Sequence, residues 1–269
     1  MSEAESIRKS PEPRTGKTLI RDFKHLGLEA GMTVLVHSSL SSLGWVCGGP
    51  VTVVQALMDV ITPEGTLVMP THSGDLSDPA KWENPPVPEA WWAIIRKTMP
   101  AYDPRTTPTR QMGRIVEVFR TWPGVLRSAH PTSSFAAWGA NASFVTADHA
   151  LGSDMGEASP LARIYDLGGW VLLLGVGYDN NSSFHLAEYR MPNPKPIQQG
   201  APIMQDGRRV WKMYEDIYLD DEPFERMGID FEASSHVIKG KIGSAQARLF
   251  PQRDAVDFAL QWLSQNHKS

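Results

Sequence analysis

Residues 33–70 read TVLVHSSLSSLGWVCGGPVTVVQALMDVITPEGTLVMP, and this stretch decides the fold. TVLVH (33–37) is a short β-branched run and predicts a buried strand. GTLVMP (65–70) predicts a second strand. Between them VVQALMDVI predicts a helix, opened by the capping-box pattern Thr52-x-x-Gln55. Strand, helix, strand in this order predicts an α/β fold with parallel pairing.

Working outward, residues 1–14 are polar and contain prolines, which predicts a mobile tail. Leu19, Phe23 and Leu26 follow helical spacing, and Gly27 suits the helix end. Residues 75–109 interrupt the pattern with seven prolines around a short helix, EAWWAIIRKT. Ser159-Pro160 predicts a helix start, with Ser as N-cap and Pro in the first turn. WVLLLGV (170–176) is the most apolar run and predicts a central strand. Asp206-Gly207 between alternating runs predicts a hairpin. A last helix is predicted over 253–263. The expected architecture is a single-domain α/β/α sandwich over residues 15–269. Its central sheet is expected to be mostly parallel or mixed, followed by a C-terminal antiparallel excursion.

Composition narrows the function classes. The net charge of −4 argues against a nucleic-acid partner and favours a cationic one. The single cysteine, Cys47, leaves no intrachain disulfide and no multi-Cys zinc site. The chain opens without a signal-type apolar stretch, and no run approaches the ~20 apolar residues of a membrane span. The expected location is the cytoplasm, with no membrane partner.

Three constellations are candidates for chemistry. The first is His37-Ser38-Ser39-Leu40-Ser41-Ser42-Leu43-Gly44, continuing to Gly48-Gly49, between a strand and a helix. In open α/β sheets ligands bind at that end of a strand. Small residues there let backbone N–H groups approach phosphate oxygens, although neither a P-loop nor G-x-G-x-x-G is present. A loop needing glycine for its geometry is the alternative. The second is Arg127-Ser128-Ala129-His130-Pro131, where His130 reads as a base, a ligand-orienting donor or a structural histidine. The third is SSFHLAEYR (182–190), which puts His185 and Glu188 on one helix face. This pair is open to reading as part of a metal site, an acid/base dyad or a buried polar contact. As a zinc site it lacks H-x-x-E-H and H-E-x-x-H, though distant ligands such as His37, His72 or His130 stay open. As an acid/base dyad, the carboxylate orients the imidazole and stabilises its protonated form. No G-x-S-x-G elbow supports a serine hydrolase.

Taken together, five segments resemble the aminoglycoside 3-N-acetyltransferases. They are VHSSLSSLGWVCGG, TLVMPTHS, TPTRQMGRIVEVFRTWPGVLRSAHPTSSFAAWG, SPLARIYDLGGWVLLLGVGYDNNSSFHLAEY and GSAQARLFPQRDAVDFALQWL. The resemblance covers nearly the whole chain from about Lys17. It implies an α/β/α fold distinct from the GNAT type. It also implies acetyl transfer from acetyl-CoA to the 3-amino group of an aminoglycoside's central ring, with no metal required. By the same resemblance, His37, Ser38, Ser39, Leu40, Ser41 and Leu43 belong to the coenzyme A pyrophosphate cradle, and Arg110 and Met112 line the coenzyme channel. His185 and Glu188 carry the chemistry, Thr71 matches a position near the acyl group in some relatives, where its hydroxyl or a backbone N–H would stabilise the oxyanion, and His130 matches the family's S-x-H-P histidine, expected on the substrate side. Asp154, Glu157 and Asp179 lie on loops near this chemistry and are expected to hold a cationic acceptor. The acidic run YEDIYLDDEPFE adds Glu215, Asp216, Asp220, Asp221, Glu222 and Glu225. The partner is then a small amine, with the protein a monomer or homodimer. Another amine acceptor on the same fold is the runner-up, and a metal-dependent hydrolase stands behind it.

Overall fold

The computed structural model describes residues 3–266. In chain order the first half runs α1 (Glu3–Lys9), α2 (Gly16–Leu26), β1 (Thr33–Ser38), α3 (Gly49–Ile61), β2 (Thr66–Pro70), α4 (Glu89–Thr98), α5 (Gly113–Phe119), β3 (Leu126–Arg127), β4 (Phe135–Gly139) and α6 (Ala142–Thr146). The second half runs α7 (Pro160–Asp166), β5 (Trp170–Leu174), α8 (Ser183–Arg190), β6 (Pro196–Gln205), β7 (Arg208–Ile217), α9 (Phe224–Ser234), β8 (Ile238–Ile242), β9 (Ala245–Pro251) and α10 (Gln252–Asn266).

Seven strands form one sheet in the order β3-β4-β2-β1-β5-β9-β8, and β6 pairs with β7 alone. β1 lies parallel to β2 on one side and to β5 on the other. The outer pairings, β2–β4, β3–β4, β5–β9 and β8–β9, are antiparallel. The sheet is therefore mixed, and its parallel part is the three central strands. Alternation along those strands feeds two cores. Val34, Val36, Leu67, Met69, Leu172 and Leu174 pack with α2, α3 and α5 through Phe23, Leu57 and Phe119. Leu35, Val68, Val171 and Leu173 point the other way, onto α7, α8, α9 and α10 through Ile164, Phe184, Phe231 and Val256. The expected α/β/α layering follows from this division.

Several local expectations differ from the structure. The Thr52-x-x-Gln55 box does not form. α3 starts at Gly49 with Pro50 in its first turn, and Thr52 Oγ1 donates instead to Cys47 O (2.6 Å). The segment read as a tail carries α1 and is fastened to the loop after β1. Trp45 N donates to Ser10 Oγ (2.8 Å), Arg14 N to Trp45 O (2.9 Å) and Cys47 N to Arg14 O (2.8 Å). The proline-rich 75–109 segment braces the β6–β7 hairpin. Tyr102 N donates to Pro202 O (3.1 Å), and Arg209 Nε to Met99 O (2.9 Å). Among the described residues no helix is long and apolar enough to cross a membrane.

Candidate active site

The carboxyl ends of β1, β2 and β5 face a pair of joined cavities. The first, about 490 Å³, runs along the loop after β1. Ser38, Ser39, Leu40, Ser41 and Gly44–Val46 form one wall, and Gln111–Ile115 with Ser6 of α1 form the other. The loop is held at both ends. Ser39 N donates to Leu174 O (2.9 Å), and Ser42 Oγ to Gly175 O (3.0 Å). Gly44 has φ 85°, and a Cβ there would lie 2.6 Å from Ser10 Oγ, so only glycine fits between loop and N-terminal segment. Serine hydroxyls and close backbone suit this wall to an extended, phosphate-bearing ligand.

The second cavity, about 240 Å³, adjoins the first. The two share Ser38, Gln111 and Met112. Its lining adds His37 from β1, Pro70 and His72 from the end of β2, Asp179, Asn180, Ser182 and His185 from the β5–α8 connection, and Asp221. His185 sits in the first turn of α8, beside the Phe224 ring (4.6 Å between centroids). Its Nδ1 lies 2.5 Å from Glu188 Oε2, and the other carboxylate oxygen accepts from Asp220 N (2.8 Å). With Nδ1–H donating to the carboxylate, Nε2 keeps its lone pair as a base.

His37 and His72 complete an imidazole-lined floor. Burial first, then the other histidines, pulls His37 down to about 3. Burial and His185 likewise pull His72 down to about 4. Both rings are thus neutral at physiological pH, and the Nε2 atoms of both are buried without a protein partner. Among the described residues no three His, Cys, Asp or Glu side chains are grouped to hold a metal ion.

The structure sorts the residues expected from sequence. Ser38, Ser39, Leu40, Ser41 and Met112 line the first cavity, and His37, Asp179 and His185 the second. Leu43 is fully buried in the core instead. Arg110 pairs with Asp75 beside a separate recess, and its Nη2 donates to Asn84 O (3.2 Å). Thr71 is fully buried and lines neither cavity, because alternation at the end of β2 turns Pro70 and His72 to the cleft and Thr71 away.

His130 and Asp154 also lie outside the cleft. His130 Nδ1 accepts from Ser133 N (3.0 Å), and Nε2 is 2.9 Å from Asp154 Oδ1. Asp154 is further held by Ser133 Oγ (2.9 Å), while its backbone N donates to Asp216 Oδ2 (3.0 Å). Asp216 also accepts from Tyr189 OH (2.6 Å), so this cluster anchors the end of β7. Burial and Asp154 raise the Asp216 carboxyl. Glu157 is an exposed partner of Arg190 (2.7 Å).

Sequence reasoning named His72 solely as a possible metal ligand, and it placed Asp221 within an acidic run without distinguishing it. The step of two from Pro70 was the available signal for His72. Gln111 had none; it has φ 58° and lines both cavities.

A groove leading to a carboxylate-backed imidazole at the carboxyl ends of the central strands is the arrangement to set beside known proteins. The chain belongs to the aminoglycoside 3-N-acetyltransferase family, whose model matches residues 35–264. It is 54% identical over 255 residues to the SPbeta prophage-derived aminoglycoside N(3')-acetyltransferase-like protein YokD of Bacillus subtilis, covering 94% of each chain. The crystal structure of YokD superposes with a TM-score of 0.97 over 98% of each chain, at 52% identity. Aminoglycoside N(3)-acetyltransferase III of Pseudomonas aeruginosa is 38% identical, over 93% of this chain and 94% of its own. Two further neighbours are ligand complexes. AAC-VIa bound to sisomicin has a TM-score of 0.86 at 32% identity, and AAC-IIIb with CoASH has 0.84 at 31%; each aligns over 96% of this chain and 100% of its own.

Proposed function

We propose that this protein transfers acetyl from acetyl-CoA to the 3-amino group of an aminoglycoside, directly, within a ternary complex in the cytoplasm where acetyl-CoA is available. The observation that carries the reading is the junction of the two cavities, where the Ser38–Ser41 groove opens onto His185. The pantetheine arm would pass Ser38, Gln111 and Met112 and present the thioester to the cleft. His185 Nε2 takes a proton from the acceptor amine as its nitrogen bonds to the thioester carbonyl carbon. Glu188 keeps the ring oriented and offsets the charge that forms on it. The tetrahedral oxyanion would be met by N–H donors of the cleft, whose imidazole-lined floor His37 and His72 form. Collapse expels the coenzyme thiolate, which ends as the thiol, and leaves the amide. Asp179 and Asp221 supply negative charge where a cationic acceptor enters.

Acetyl-CoA-dependent thiol release, measured over a panel of aminoglycosides and simple amines, tests this. Turnover with an aminoglycoside, and a product acetylated on N3, is expected. Turnover with simple amines alone would move the acceptor to another amine class. No turnover with any acceptor, together with no calorimetric binding of coenzyme A, would overturn the reading.

A further inference from the structure

Behind the Pro70–Ser73 wall of the cleft lies a guanidinium that the chemistry above does not use. Arg127, at the end of β3, is half-buried. Its Nη2 donates to Thr71 O (2.6 Å) and reaches Ser73 Oγ (3.4 Å), and its Nη1 donates to Thr107 O (2.5 Å). Its Nε donates to Thr71 Oγ1 (3.1 Å) and Ser134 Oγ (3.0 Å), and the group lies 5.2 Å over the Tyr102 ring. All of these partners are neutral. Glu117, which acts on Arg127 through space, is itself bonded to Arg120 and Thr109. Among the described residues no carboxylate is bonded to this half-buried guanidinium, which stays charged, and its charge acts weakly on His72 in the cleft.

The residues that Arg127 grips are the two neighbours of His72. The same segment is fixed by Thr71 N to Ser134 O (2.8 Å), Ser73 N to Thr132 O (2.8 Å) and Arg110 N to His72 O (2.8 Å). We propose that Arg127 is a positioning residue for acyl transfer. Its clamp on Thr71 and Ser73 sets the His72 ring in the cleft, and its charge favours negative charge on the thioester oxygen beside that ring. A neutral imidazole held beside a carbonyl is a known electrophile in proton-transfer enzymes. Burial opposes protonation of His72 most, and His185 follows; Asp154 favours it, His130 and then Arg127 oppose it more weakly, and His37 is the remaining titratable neighbour. This inference rests on the acyltransferase reading.

The test has one readout that needs no activity. Histidine side-chain NMR titrations of the full-length protein, with His72 assigned through His72→Gln, compare the wild type with Arg127→Met and Arg127→Lys. The His72 midpoint is expected to rise by about 0.5 pH unit or more in Arg127→Met and to stay near wild type in Arg127→Lys. In thiol release, Arg127→Met should lose about 10–100-fold in kcat with KM for acetyl-CoA within about threefold, and Arg127→Lys should recover part of the loss. An unmoved His72 midpoint in Arg127→Met, or a lysine variant as impaired as the methionine one, overturns the proposal. If Arg127→Met does not fold, a raised midpoint in Arg127→Lys overturns it and an unmoved one supports it. A wild type with no thiol release at all instead refutes the acyltransferase reading, and the titration still decides whether Arg127 controls His72.

Discussion

Replacing Glu188 by glutamine tests the proposed dyad more sharply than deleting the histidine. Both carboxylate oxygens accept, one from His185 Nδ1 and the other from Asp220 N, and the side chain is buried. Glutamine has one acceptor and one donor group, so it cannot serve both. If its oxygen stays on His185, its amide faces the Asp220 N–H, and a buried donor pair is left unsatisfied at a cost of about 1–3 kcal/mol. If the amide faces His185, Nδ1 must accept and the ring proton moves to Nε2, where the base is needed. In either orientation the imidazolium formed during transfer loses a charge-assisted hydrogen bond worth about 1.5–3 kcal/mol. The unsatisfied pair lowers stability, and the lost transition-state hydrogen bond predicts a fall in kcat of roughly tenfold to a hundredfold. Glu188 does not line the cavity along Ser38–Ser41, so on the proposed reading KM for acetyl-CoA should stay within about threefold. The assay is steady-state thiol release with both substrates varied, repeated for His185→Ala and for the double variant. Residues acting as a unit give non-additive losses, so the double variant should be no slower than the worse single one. A Glu188→Gln enzyme within about threefold of wild type, or losses that simply multiply, would refute the dyad.

His185→Ala should itself lower kcat by about a hundredfold or more, the order of a lost general base, with coenzyme affinity by calorimetry little changed. Asp179→Asn and Asp221→Asn should each raise the acceptor KM about three- to tenfold at low salt and flatten its salt dependence, since exposed charge pairs are screened over ~8–10 Å at 0.1–0.15 M; an acceptor KM insensitive to salt in the wild type would exclude an acidic acceptor pocket. Stability should fall as pH falls below about 6.5. His37 (held near 3), His72 (near 4) and His149 (near 3, by burial and then His130) stay neutral in the fold but take up protons once unfolded, and Asp216, raised by burial and Asp154, opposes them with one. Urea unfolding around pH 5 should then show a net uptake of about two protons, a slope on the order of 3 kcal/mol per pH unit. A flat stability between pH 5 and 7 would contradict the buried neutral rings.

What sequence could reach depended on period and span. The three central strands were legible because each is a short apolar run with a turn behind it, and the His185–Glu188 pair was legible because three residues on a helix is a contact. Thr71 was misplaced for want of one bit of information, which face of β2 meets the cleft. Pairing with β4 settles that bit, through contacts 60 or more residues away such as Thr71 N to Ser134 O. Asp154 illustrates a different gap. Its loop is near the right part of the chain, but a carboxylate on a loop looks alike whether it faces solvent or a buried His130. The N-terminal segment was read from its polarity, while its attachment uses mainly backbone groups and one serine, which polarity does not reveal.

The location of the cleft follows from the order β2-β1-β5. After β1 the chain turns toward α3, whose Val53 and Leu57 pack on one face of the sheet. After β5 it turns toward α8, whose Phe184 and Leu186 pack on the opposite face. Two adjacent parallel strands whose connections leave to opposite faces open a crevice between their carboxyl ends. His37 stands on one lip of that crevice and His185 on the other. The groove along Ser38–Ser41 enters from the β1 side, and Asp179 and Asp221 lie on the side that follows β5. On the proposed reading, an acyl donor and an acidic acceptor site would be kept on separate walls and meet only at the imidazole, the arrangement that direct transfer within a ternary complex requires.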